Sequence, residues 1–153
     1  MSKKRDLQGS KTTPATNIGA ILNKLGKNIL LIDLDPQAKL TQRLGIIEPE
    51  RNIYSALREG YKLQPIEILK GLDVIPSTLD RSVAEVGMSG EAKREYILRE
   101  LIKPISASYD YILIDNPHTQ GVDIFRNAPK SYGDYLSLDK ETLKKVNAKL
   151  LQL

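Results

Sequence analysis

No cysteine occurs among the 153 residues, which excludes a disulfide framework, thiolate metal sites and a cysteine nucleophile. A single histidine, His118, leaves no basis for a multi-histidine metal centre or a histidine relay. Tryptophan is absent and one phenylalanine stands against seven tyrosines, so the core has to be built from Leu and Ile. No apolar run approaches the roughly 18 residues needed to span a bilayer. The opening Met1-Ser2-Lys3-Lys4-Arg5-Asp6 leads into Leu7-Gln8-Gly9-Ser10, which is no secretory apolar segment. The expectation is a cytoplasmic chain without a membrane span.

What remains is ordinary globular material, 41% hydrophobic and 27% charged, of a size for one domain over residues 1–153. Lys and Arg number 23 against 19 Asp and Glu, a net charge of +4. That balance permits contact with nucleic acid or acidic lipid without demanding it.

Residues 1–8 form a polar, basic lead. A helix signal follows: Thr13 is a candidate cap, Pro14 suits the first turn and Gly26 the stop. Between them Ile18, Ile21, Leu22 and Leu25 recur at helical spacing. Three short apolar runs, near 29–34, 72–76 and 109–115, read as buried strands, each ending in a carboxylate or a proline. Helices are expected near 37–44, 52–59, 64–70 and 90–103. This alternation is the α/β signature, with parallel strands and right-handed crossovers. Residues 118–133 read as loop and 134–153 as an amphipathic helix. On that helix Leu143, Val146, Leu150 and Leu153 share one face, and Lys140, Lys144, Lys145 and Lys149 lie largely off it. The lysines suit a solvated face; they also suit a patch for nucleic acid or anionic membrane.

Three features carry chemistry, and they come in a definite order. Gly9-Ser10-Lys11-Thr12-Thr13 leads into a helix. A phosphate loop needs converging N–H groups, a lysine for phosphate charge and a hydroxyl for Mg²⁺. The same pentapeptide is also an ordinary helix cap. Asp33-Leu34-Asp35-Pro36-Gln37 ends the first strand, where open α/β sheets bind ligands. One carboxylate there suits Mg²⁺ water and another an attacking water; Asp35 also suits a cap on the next helix. Asp115 then ends the strand Y-I-L-I-D before Asn116-Pro117, the pattern of a Walker B carboxylate.

Taken together, these segments resemble the ParA/Soj/MinD group of deviant Walker A ATPases, and ParA-type partitioning proteins above all. The strings that carry the resemblance are G-S-K-T-T-P-A-T-N-I-G, L-L-I-D-L-D-P-Q, G-L-D-V-I-P-S-T-L-D and Y-D-Y-I-L-I-D-N-P, with G-V-D-I-F-R-N-A-P-K-S-Y-G-D-Y near the end. The resemblance implies a three-layer P-loop sheet, mainly parallel, and an ATP- and Mg²⁺-dependent dimer switch serving plasmid or chromosome segregation. It implies Gly9, Ser10, Lys11, Thr12 and Thr13 as the nucleotide loop, with Lys11 on the β/γ-phosphates. Thr12, Asp35 and Asp115 would serve the metal, and Asp33 and Asp35 would place Mg²⁺ water and the attacking water. Implied partners are a second copy or a full-length ParA-type protein, non-specific DNA and a partition adaptor. Arg126, Lys130 and the lysines of the last helix are the candidates for DNA.

The chain departs from the family pattern at four places. Asp6, Leu7 and Gln8 stand where the family's loop has Lys-Gly-Gly, and Gly9 falls on its variable position. The apolar strand that precedes the loop in the family has no counterpart here, so a gap in the sheet with unpaired strand edges is expected. Pro14 disfavours helical backbone at Thr13, which starts the helix about a turn late for cradling phosphate. Finally, the C-terminal stretch follows Pro117 almost directly, so several later strands are missing. These departures lead to an expectation of impaired nucleotide binding and hydrolysis. The alternatives are a non-catalytic module binding a full-length ParA-type partner, or a decayed or artificially shortened chain.

Overall fold

The computed structural model describes residues 14–79, 91–116, 121–126 and 135–138. In chain order they form α1 (Pro14–Lys24), β1 (Ile29–Asp33), α2 (Lys39–Arg43), α3 (Ile53–Glu59), β2 (Ile66–Leu69) and β3 (Leu72–Ile75). After these come α4 (Glu91–Ile102), a 3₁₀ turn (Ser106–Ser108), β4 (Tyr111–Asn116), β5 (Gly121–Arg126) and β6 (Tyr135–Leu138).

The strands make one six-stranded sheet in the order β2-β3-β1-β4-β5-β6. β1 lies at its heart, parallel to β3 on one side and to β4 on the other. Every residue of β1 is buried, as a strand covered on both faces requires. Its side chains alternate between two cores. Leu30 and Ile32 pack with Ile53, Leu57, Leu98 and Ile102, from α3 and α4. Ile29 and Leu31 pack with Ala15, Ile18, Leu40 and Leu44, from α1 and the α2 region. The result is the expected three-layer sandwich. Each fully buried Leu or Ile contributes about 1.5–3 kcal/mol by leaving water.

α1 sits unusually close to the sheet at Gly19, where an added Cβ would stand 2.9 Å from Leu31 Cδ2. It ends at Gly26, whose φ of 83° is the left-handed turn that glycine adopts without strain. The chain then enters β1 at once. Eleven helical residues and five strand residues each span about 16 Å. The first turn of α1 therefore lies at the edge of the sheet where β1 and β4 end.

Four sequence expectations are corrected. Residues 64–70 are not helical: Ile66–Leu69 form β2, antiparallel to β3. Lys70-Gly71 closes that hairpin, with Gly71 at φ 82°, and Ile66 and Ile68 alternate with Glu67 at strand spacing. Residues 118–133 are not all loop, because β5 runs antiparallel along β4 from Tyr111↔Arg126 to Asn116↔Gly121. The six strands also pair continuously among the described residues, without the expected gap; β5 satisfies the row of backbone groups that β4 would otherwise leave open. The helix drawn over 134–153 is replaced at its start by β6, which pairs with β5; the remainder of that segment lies outside the described residues.

Candidate active site

Asp33 and Asp115 end the two central parallel strands and are register partners. Both follow the alternation of Leu31 and Leu113, which belong to the α1/α2 core, so both carboxylates lie on the face that α1 covers. Leu34 N–H donates to the Asp115 carbonyl at 3.1 Å and extends the β1–β4 ladder by one residue. The chain leaves β1 for β3 on one side and reaches β4 on the other. The crevice between β1 and β4 is thus a topological switch point, the place where open α/β sheets take ligands.

The two carboxylates have opposite surroundings. Asp33 is fully buried and accepts three hydrogen bonds. Asp35 N–H donates to its Oδ1 at 3.0 Å. Thr41 N–H and Thr41 Oγ1–H donate to its Oδ2 at 2.9 and 2.6 Å. Burial holds the Asp33 pKa above its ordinary value, although these hydrogen bonds lower it. Asp115 is half-buried and its carboxylate accepts no hydrogen bond among the described residues. Burial, followed by the charges of Asp33 and Asp35, pushes its pKa up to about 7; Arg43 and Lys39 act in the opposite direction.

Asp35 sits in the turn between β1 and α2. Its Oδ1 accepts the Gln37 N–H at 2.9 Å, and its carbonyl accepts Ala38 N–H at 2.8 Å. Ala38 takes a left-handed conformation with φ 48° to start α2. Asp35 is therefore a turn former as well as a candidate site residue, and its second carboxylate oxygen has no partner among the described residues. Tyr54 of α3 anchors the same turn from the opposite face, its hydroxyl donating to the Leu34 carbonyl at 2.5 Å.

The donor chemistry suits a hard cation: carboxylate oxygens, no nitrogen and no sulfur. Among the described residues no group of three acidic side chains could hold a metal ion unaided. That is the usual condition for Mg²⁺, which keeps its waters and binds through one or two carboxylates together with phosphate oxygens. Gly9, Ser10, Lys11, Thr12 and Thr13 lie outside the described residues, as do Asp6, His118, Lys130 and the C-terminal lysines. Arg126 is placed in β5 by its backbone. Sequence reasoning brought Asp33, Asp35 and Asp115 to one edge of the sheet and the structure places them there. It overlooked Thr41 and Ser77, buried hydroxyl residues that donate to Asp33 and to the Asp35 carbonyl. The available signal was a threonine between the buried Leu40 and Leu44, on a short helix directly after the acidic turn.

A family model described as an AAA domain matches residues 8–129. The sporulation initiation inhibitor protein Soj of Bacillus subtilis is 37% identical over 119 residues, 73% of this chain and 46% of Soj. The chromosome partitioning protein ParA of Myxococcus xanthus is 39% identical over 118 residues, 73% of this chain and 41% of that protein. Among solved structures, cobyrinic acid a,c-diamide synthase of Mycobacterium smegmatis, with bound ATP analog and magnesium, superposes with a TM-score of 0.61 at 29% identity. It covers 72% of this chain and 48% of its own. The chain spans less than half the length of the relatives it matches. Sequence, sheet and acidic edge agree, and the chain belongs to the ParA/Soj/MinD group of P-loop ATPases.

Proposed function

We propose that this chain is a partition ATPase homologue of ParA type, meeting Mg-ATP at the β1–β4 crevice with weak binding and slow hydrolysis. The observation that supports it is the register pair Asp33–Asp115 at the sheet edge where α1 begins. Residues 9–13, which carry Lys11 and Thr12, immediately precede α1. In this reading Lys11 meets the phosphates, and Gly9, Ser10 and Thr13 complete the loop. Thr12, Asp35 and Asp115 face the metal. When bound, Mg²⁺ neutralises phosphate charge and orients water. Asp33, with three protein donors already on its carboxylate, holds the turn, and Asp35 positions the attacking water. Weak binding follows from Asp6, Leu7 and Gln8, since a carboxylate repels a triphosphate and neither Leu nor Gln enters left-handed backbone readily.

The proposed partners are a second copy or a full-length ParA-type protein, with non-specific DNA and a partition adaptor. Any DNA binding here would fall steeply with salt. No helix among the described residues is long and apolar enough to cross a membrane.

Isothermal titration of Mg-ATP into the protein, shown folded by circular dichroism, tests the reading. Saturable heat that disappears in Lys11→Ala is the expected result. A folded protein that takes up no Mg-ATP would overturn it and leave the non-catalytic partner-binding reading, which the Asp6-Leu7-Gln8 replacement favours.

A further inference from the structure

We propose that Thr41 and Ser77 are positioning residues for Asp35, closing a ring of hydrogen bonds that pins the Asp35 peptide from both sides. The ring can be followed atom by atom. Asp35 N–H donates to Asp33 Oδ1 at 3.0 Å. Asp33 Oδ2 accepts the Thr41 hydroxyl at 2.6 Å. Thr41 Oγ1 in turn accepts the Ser77 N–H at 2.8 Å. The Ser77 hydroxyl donates to the Asp35 carbonyl at 2.7 Å, which closes the circuit. Three elements meet in it: the end of β1, α2 and the segment after β3.

Each proton in the ring has one destination. Thr41 has a single hydroxyl proton, spent on Asp33, so a lone pair of the same oxygen remains for Ser77. Asp33, Thr41 and Ser77 are all at most 1% exposed, so no water competes for these bonds and each is strengthened by low local polarity. The ring leaves Asp35 little freedom. Its N–H and carbonyl are both held, Gln37 N–H fixes one of its carboxylate oxygens, and Ala38 is kept in a left-handed conformation that an alanine rarely adopts. The other carboxylate oxygen has no partner among the described residues, and the Asp35 charge acts on Asp115. Thr41 and Ser77 act only through this turn. The inference rests on the reading of Asp35 as a residue that meets Mg-ATP, and it adds the device that aims it.

Two readouts on the full chain test the ring, with Thr41→Val, Thr41→Ser and Ser77→Ala as variants. The first is amide hydrogen exchange by NMR without nucleotide. Thr41→Val removes two bonds of the ring and should speed exchange at Asp35 and Gln37 by at least about tenfold, the scale of one lost buried hydrogen bond. Leu31 and Leu113 should be unchanged, and Thr41→Ser should match wild type. Unchanged exchange at Asp35 in a folded Thr41→Val protein overturns the proposal. The second readout is calorimetric titration with ATP, in Mg²⁺ and in EDTA. Thr41→Val should weaken Mg-ATP binding about tenfold while leaving metal-free ATP affinity unchanged, with Thr41→Ser restoring the wild-type value. Loosened exchange with undiminished Mg-ATP affinity would make the ring purely structural and overturn the positioning role. A wild type that binds no Mg-ATP removes the functional reading, and the exchange measurement still decides whether the ring holds Asp35. If Thr41→Val does not fold, Ser77→Ala loses one bond only and carries both readouts.

Discussion

Asp33 and Asp115 stand side by side at the ends of β1 and β4, yet one carboxylate accepts three protein donors and the other has none among the described residues. Identical chemistry thus serves two ends. Asp33 binds the fold together, and Asp115 meets no donor among the described residues while it sits near the charges of Asp33 and Asp35. A native carboxylate kept in that condition costs stability, and the cost is visible in its proton affinity.

Asp115 makes stability fall as pH rises. Its folded pKa is about 7 against the ordinary carboxylate value of 3.8, so between those values the folded chain holds a proton that the unfolded chain has lost. By linkage, the stability from this group is fully present below about pH 4 and is lost as pH rises through about 7. Asp115→Asn should therefore gain about 2 kcal/mol over wild type at pH 8, after discounting for solvent screening of a half-buried group, and almost nothing at pH 4. Urea unfolding of both proteins across that range measures the difference; a pH-independent gap would contradict it.

Asp33 behaves in the opposite way on substitution. Asp33→Asn puts an NH₂ group where Asp35 N–H or the Thr41 pair donates, so one buried donor faces another. The expected loss is about 2–3 kcal/mol, against the gain for Asp115→Asn, although the two residues are register neighbours of the same type. Denaturant midpoints at pH 8 give both signs in one experiment.

Much of this site was legible because its signals are local. The run Ile29–Asp33 is apolar and ends in carboxylates, Pro14 and Gly26 bracket α1, and Asp115 closes a second run of the same kind. Thr41 and Ser77 were not legible, since their 36-residue separation closes only when α2 and the end of β3 meet. β5 escaped for a similar reason. Gly121–Arg126 has only a weak alternation, and what makes it a strand is the open edge of β4, a tertiary fact. β2 was misread as helix because Ile66, Ile68 and Leu69 fit either period. The Lys70-Gly71 turn decides between them, and its weight depends on β3 being there to pair.

Tyr54→Phe should destabilise the acidic turn without touching any carboxylate. The Tyr54 hydroxyl donates to the carbonyl of Leu34, the residue between Asp33 and Asp35, and both Tyr54 and Leu34 are buried. Removing the hydroxyl leaves that carbonyl without this donor, a loss of about 1–2 kcal/mol. Thermal unfolding at pH 7 measures it, and an unchanged midpoint would show that the turn is held by the Asp33 side alone.

Gly19 sets how closely α1 can approach the strands that carry the acidic pair. A Cβ there meets Leu31 Cδ2 at 2.9 Å, with Leu113 and Leu72 methyls at 3.5 Å. Alanine adds one methyl against the end of a leucine side chain and regains about 1 kcal/mol of helix propensity, so Gly19→Ala should be close to neutral. Valine adds two further methyls, is stiff in a helix, and presses on Leu31, Leu72 and Leu113, which are all completely buried. Gly19→Val should cost about 3 kcal/mol. If the protein refolds around it, α1 must lift from the sheet and carry its first turn away from Asp115. The same variant should then lose Mg-ATP binding while Gly19→Ala keeps it. Equal stability of the two variants would mean that the α1–sheet distance is set elsewhere along the helix, at Ala15 and Ile18.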